Sequence, residues 1–548
     1  MTPSRRAWLP PLLLLSLAPA PPAAAGPPAP AHPLVASGAA AAVLGHRLPP
    51  NPVTPGMAAV PFATHMPLTR LAPARLFPGL CVYHYRAGTT SEMCQKYVDQ
   101  ALGFYYSYVW MEAARSFETA LRYDPDCALA WWGLSRSLEK WDKKEHVLAL
   151  RRAQELLPTA SYREQMLIRS RLEEKGMLPG VKPDERDKKA AETLDELLTL
   201  YGDDEEGWFC RAQLAARTGG GTAAVPYYKA LLRINPLHPG ANHELVHFYE
   251  NWKRPALGWP YAEKYIESSP GLPHAFHMQA HLAMRIGKWD KTTDRSARAV
   301  ELEKAYHAYQ DVPPREDHQY SHHLEILTIS LVHDGRFREA RQTQAEARRV
   351  GYKHWDIWFR LHRAERDWAA LEKLLKEYRK VNKGQAAYQA ALMYLDRGEP
   401  DLARPEINVL REEMTRRKRD KRARLRYWEA QGCYLCQTGG AGEGLKLLER
   451  AVKETVDDFR HHAWGGGAYY METWGLAALG AGNAAVAEEG FLEALAHDAG
   501  SVRGALGMQM LCEQLGRSRE AQRFAAVARR CWAKADPGRF EALAEEVA

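Results

Sequence analysis

Two pairs of histidines dominate the chemistry this chain could do. His243 and His247 are four residues apart, as are His277 and His281, and the pairs are offset by 34 residues (243 to 277, 247 to 281). Side chains four apart share one face of a helix. Two equivalent helices would each present two imidazoles in the same direction. Glu250 lies on the same face as His247, and His322, with His323 beside it, falls near the start of a later helix. Neutral imidazole suits late transition metals, so zinc, copper or iron is the expected class of ion. Packed helices lie about 8–10 Å apart, and rings reaching from both could meet one ion at bonds near 2.0–2.1 Å. The candidate ligands are therefore His243, His247, Glu250, His277, His281 and His322, with Glu250 either a ligand or the group that orients one.

A competing reading makes these histidines ordinary polar lining of a binding groove. A third reading comes from His243-Glu244-Leu245-Val246-His247, which spells H-E-x-x-H, the helix on which a glutamate acts as general base beside a zinc-bound water. That chemistry needs a sheet and a substrate cleft around the helix, and no strand pattern surrounds it. No glycine-rich phosphate loop follows a strand, and no Ser-His-Asp arrangement stands out. The balance favours a non-catalytic protein.

The elements that must position these residues are helices. Ala, Leu, Glu and Arg are abundant and β-branched residues sparse. A chain of 548 residues exceeds one ordinary core, which stops growing near about 250–300 residues. Stacked repeats escape that limit, because each unit buries itself only against its neighbours. Pro236 and Pro270 repeat the 34-residue offset. Tyr97, Ala101, Phe104, Ala113, Phe117, Ala120 and Pro125 fall at the spacing of a helix-turn-helix unit, small residues allowing close approach and aromatics filling the gaps. On these positions the chain resembles the tetratricopeptide repeat family. Gly287, Gly335, Gly398, Gly439, Gly482 and Gly516 fit the turns within hairpins, and Ala340, Ala403, Ala487 and Ala521 each lie five residues beyond such a glycine. Phe491 and Ala494 complete a late unit as Phe117 and Ala120 complete the first.

The resemblance spans about residues 95–535 and implies an all-α, right-handed α-solenoid of eleven or twelve hairpins. It also implies a concave groove that binds a protein or an extended peptide, lined by the first helix of each unit, so that His243, His247 and Glu250 would point into it. Residues 175–187 read as a loop inside a hairpin, and 303–318, with Pro313 and Pro314, as an insertion. Gly219-Gly220-Gly221 replaces a single turn glycine, and the stretch Trp355 to Trp368 departs from the repeat. The stretch from Tyr83-His84-Tyr85 to Trp131-Trp132-Gly133 is similar to the opening of a group of bacterial exported tetratricopeptide proteins, a group that implies no particular activity.

The N-terminus reads as an export signal: Arg5 and Arg6, an apolar stretch from Trp8 to Leu17, then Ala23-Ala24-Ala25-Gly26. The expected location is periplasmic or extracellular, by a secretory or twin-arginine route, with no transmembrane span. The expected organisation is a signal peptide at 1–25, a Pro/Ala-rich leader and pre-helical segment at 26–94, a histidine-bearing array at 95–350 and a second array at 351–548. Residues from about Pro21 to Pro78 should be flexible or extended. In an exported chain Cys81 and Cys94 could close a short loop; Cys433 and Cys436 share a helix face; Cys127, Cys210, Cys512 and Cys531 read as buried apolar residues. The net charge of +7 is too small to imply a nucleic-acid partner. The basic run from Arg416 to Arg426 lacks interleaved aromatics and reads as a solvated helix and linker. Tyr105, Tyr106, Tyr108 and Trp110 read as packing between units.

Overall fold

Hairpin after hairpin, the chain builds its core between neighbours rather than around a centre. The computed structural model describes residues 65–462 and 466–548, except the side chains of Arg460 and His461. Among these residues 26 α-helices follow one another and there is no strand. Consecutive helices pack antiparallel, and each hairpin packs on the next. The fold is the expected all-α solenoid. The leader's first part and the export signal lie outside the described residues.

The turn glycines do what their positions require. All six have positive φ, from 68° at Gly335 to 89° at Gly439, a conformation that a Cβ penalises. Three other hairpins place Asp142, Lys253 and Arg366 in the same left-handed region, and the first hairpin places Tyr108 there with φ 60°. The alanines five residues beyond the glycines are buried. Phe491 shows the packing rule: its fully buried ring sits so close to Gly475 and Gly507 that a Cβ there would come within 2.7 and 2.2 Å of it. Aromatics enter gaps that glycine leaves open.

Several expectations are met and several change. The helix Tyr162–Lys175 ends and Arg186–Leu200 begins around the loop foreseen at 175–187. Gly220 joins Glu205–Gly219 to Gly221–Ile234. The insertion at 303–318 is only partly a loop, because the helix Trp289–Gln310 runs on through its first eight residues. The departure at Trp355 to Trp368 is mild: Trp355–Ala364 and Trp368–Tyr378 form a short but ordinary hairpin. The basic run spans the end of the helix Pro400–Arg416, a turn and the start of Lys421–Gln437, and three of its charges are paired, Arg417 with Glu413 and Asp420, Lys421 with Asp458, Arg424 with Glu454. No described helix is long and apolar enough to cross a membrane.

The pre-helical segment is not loose. Between residues 65 and 91 its backbone is held by side chains of the first hairpin. Leu68 and Thr69 donate to Glu118, Ala74 to Thr119 and Phe77 to Gln100. Val82 donates to the Ser268 carbonyl at 2.8 Å, and Gly271 to the Leu80 carbonyl at 3.1 Å. Composition suggested flexibility; long-range partners for the backbone supply the order. Cys81 lies 3.6 Å from Ser269 Oγ, while Cys94 is buried against Cys127. The loop from 81 to 94 is therefore not closed by a disulfide, and both are free thiols.

The superhelix winds tightly. Residues separated by 194 (Glu112 and Tyr306), 199 (His333 and Trp532), 209 (Trp289 and Asp498) and 212 (Ser107 and Gln319) touch through hydrogen bonds. One consequence governs the site. The turn of the first hairpin, residues 106–109, packs against the helices that carry the histidines.

Candidate metal centre

Three helices carry the site: Pro239–Asn251, Pro273–Arg285 and Tyr320–His333. Pro239 and Pro273, again 34 apart, occupy the first turns of their helices, where a missing N–H costs nothing. His238 caps the first helix, its Nδ1 accepting from the Ala241 N–H at 3.1 Å. Equivalent starts give equivalent registers, so the 34-residue offset in sequence becomes a shared orientation in space.

The first cluster joins His243 and His247 with His274. His243 Nε2 lies 2.9 Å from His274 Nε2. The His243 and His247 rings are 4.7 Å apart, and Tyr108 covers them, stacked on His247 at 5.6 Å. Tyr108 holds its position by donating to Glu244 at 2.8 Å. The second cluster joins His277 and His281 with His322. His281 Nε2 lies 3.3 Å from His322 Nε2, and the His277 ring is 4.2 Å from that of His281 and 4.8 Å from that of His322. His323 packs 4.0 Å from His277, with its Nδ1 2.9 Å from Glu303 Oε1. In each cluster, one ring nitrogen of each of the three histidines lies within 4.8 Å of those of the other two.

Between the clusters stands Glu250. Its Oε1 accepts from His281 Nδ1 at 2.9 Å and from Arg285 at 2.8 and 3.1 Å. Its Oε2 faces His247 Nδ1 at 3.4 Å. Glu250 therefore orients one ring of each cluster and is not itself among the converging nitrogens. Burial alone would raise its carboxyl, but His281, His247 and Arg285 around it hold it well below the usual carboxylate range.

The protons can be placed. A carbonyl only accepts, so His243 Nδ1, 2.6 Å from the Tyr106 carbonyl, carries the hydrogen, and Nε2 of the neutral ring is a lone pair. His281, facing the ionised Glu250 through Nδ1, likewise turns its Nε2 inward, toward His322 Nε2, and His247 presents its own Nδ1 to the same carboxylate. Burial, first of all, pulls His243, His274, His277 and His281 below the ordinary histidine value, and lowers His323 to about 3. These rings are neutral at pH 7. Buried His247 Nε2, His274 Nδ1, His277 Nδ1 and His323 Nε2 have no hydrogen-bond partner among the described residues. A nitrogen left so costs about 1–3 kcal/mol, which a bound cation would recover. A neutral imidazole such as that of His243 or His281, with Nδ1 held by oxygen and Nε2 aimed at a neighbouring ring, suits a zinc, copper or iron ion.

Every residue expected at the site is here, but not as one ion's ligands. The expectation that both pairs meet one ion gives way to two sets of three. The site is mostly covered: His243, His277, His281 and Glu250 are buried, His247 and His322 are partly exposed, and the turn of the first hairpin packs on His243 and His247. His274 was not foreseen. Its signal was present, since 274, 277 and 281 follow the i, i+3, i+7 pattern of one helix face. In H-E-x-x-H, the half-buried Glu244 is engaged by Tyr108, and desolvation raises its carboxyl; its helix packs among other helices, with no strand among the described residues.

Known proteins add the following. The family model described as tetratricopeptide repeat matches residues 98–161. No curated protein matches the chain. Among solved structures, the TPR domain of P58(IPK) is 12% identical, with a TM-score of 0.23, over 78% of this chain and 99% of that one. The structure of Naa15/Naa10 bound to HypK-THB is 12% identical, with a TM-score of 0.27, over 83% of this chain and 65% of that one. Both likenesses are too distant to carry an argument. Residues 98–161 match the tetratricopeptide repeat family, and the hairpins beyond them repeat the same helical unit with the same turn glycines.

Proposed function

We propose that this protein is a non-catalytic tetratricopeptide scaffold that holds a late transition metal, zinc, copper or iron, within its N-terminal array. One observation carries the reading. Imidazoles from three helices converge in two sets of three, and those of His243, His247 and His281 have Nδ1 facing a carbonyl or carboxylate. Histidines that merely lined a groove would be wet and need no such orientation. The ion would add to the packing and to the Glu250 pairs with His281 and Arg285 that already join the hairpins. The charged and apolar start of the chain supports an exported protein, where such ions are met outside the cytoplasm.

The test is elemental analysis of protein purified without an affinity tag, then stripped with chelator and resupplied with Zn(II) or Cu(II). At least one equivalent should be retained through gel filtration and lost in His243→Ala/His277→Ala. Failure to retain any ion near neutral pH would refute the reading.

A second reading, the binding of a protein or peptide, finds its support elsewhere. Cavities of about 530 and 820 Å³ open between the C-terminal hairpins and share Arg360, Arg363 and Tyr469 in their walls. A peptide held there would be insensitive to chelator and to changes in the histidines.

A further inference from the structure

The six inward histidines fall into two sets, and their division is built into one helix. Pro273–Arg285 gives His274 to the first set and His277 and His281 to the second. An ion bonded at about 2.0–2.1 Å gathers nitrogens no more than about 4 Å apart, a spacing each set reaches with small rotations. Each set offers three imidazoles, enough for an ion that keeps one position open. Glu250 then has a role no single-ion site would give it. One oxygen orients His247 of the first set, and the other orients His281 of the second.

We infer that the centre takes two ions, one per three-histidine set, and that Glu250 links them as a shared orienting carboxylate. The inference rests on the metal reading above and goes beyond it in stoichiometry and in coupling. The link has a definite chemical basis. A carboxylate accepts on both oxygens; an amide accepts on one and donates on the other. Glu250→Gln must therefore turn an N–H toward one of the two imidazole N–H groups, and the ring repelled there swings away from its ion. Either orientation of the amide also removes the negative charge that strengthens both rings as ligands. One substitution at a residue that is no ligand should thus weaken both ions, whereas loss of a ligand should cost only its own set.

The experiment uses the full-length chain, stripped and then titrated with Zn(II) against a colorimetric chelator, with bound metal counted by mass spectrometry. The wild type should bind two ions, and His247→Ala and His322→Ala one each. Glu250→Gln should weaken both ions about ten- to a hundred-fold, the usual effect of removing an orienting partner. Far-ultraviolet circular dichroism of each stripped variant verifies that it is folded, and the wild-type count decides the stoichiometry whatever the variants do. A wild type that binds one ion overturns the inference and leaves the metal reading standing. A wild type that binds none removes both. Two ions with Glu250→Gln weakening one alone, or neither, overturns the coupling.

Discussion

A histidine that is neutral in the folded chain and free to ionise in the unfolded one makes stability depend on pH. His243, His274, His277, His281 and His323 are all pushed below the ordinary value of 6.5, burial being the first cause in each. Below about pH 6.5 the unfolded chain binds protons that the folded one refuses, so folding stability falls as pH falls. Above pH 6.5 neither state carries the charge and the contribution is flat. Metal-free protein should therefore lose stability between pH 6.5 and 5 with a slope larger than a single group's ~1.4 kcal/mol per pH unit. Urea unfolding at a series of pH values measures it. A flat profile over that range would mean these rings are wetter, or already protonated, in the folded state. Glu250 works with the same sign lower on the axis: its depressed carboxyl contributes fully above the ordinary value of 4.5 and loses that contribution as pH falls below it, so the two effects separate on the pH axis.

Between helices the controlling feature is an aromatic ring set against glycine. Phe491 is locked between Gly475 and Gly507, so it cannot retreat from one without striking the other. Ala at a helical glycine gains up to ~1 kcal/mol in propensity, while overpacking a rigid core costs about 1–3 kcal/mol. With the ring confined on both sides, the cost wins. Gly507→Ala should lower stability by roughly 1–2 kcal/mol, seen as a lower thermal midpoint. Gly442→Ala is the control. A Cβ there meets nothing within 4 Å, and the substitution should be neutral or stabilising. The first hairpin uses the same device, Phe117 against Gly133, which is how a repeat of low sequence identity keeps its pitch.

Across the whole superhelix, the centre depends on winding. Tyr106 and Tyr108 come from the first hairpin, His243 and His247 from a helix about 140 residues on, and His322 from later still. An ion bound only by the folded arrangement stabilises it by mass action, about 2.7 kcal/mol at a hundred times its dissociation constant. Saturating Zn(II) should raise the thermal unfolding midpoint of the wild type, and chelator should reverse the rise. The same addition should leave His243→Ala/His277→Ala unmoved; an equal shift there would place the ion elsewhere. The sequence alone was sufficient for the hairpins, their turn glycines, the alanine and phenylalanine contacts and the matched register of His243/His247 with His277/His281. Those are local periodicities, written in spacings of four, five and 34. It also contained His322 and the ambiguity of Glu250. It could not disclose His274's place in the first set, the division into two sets, or the order of residues 65–91. Nor could it disclose that the turn of the first hairpin packs over His243 and His247. Those follow from which distant hairpins meet, and small rotations between units, each invisible in any one repeat, add up over about 200 residues until the first turn closes on the third histidine helix.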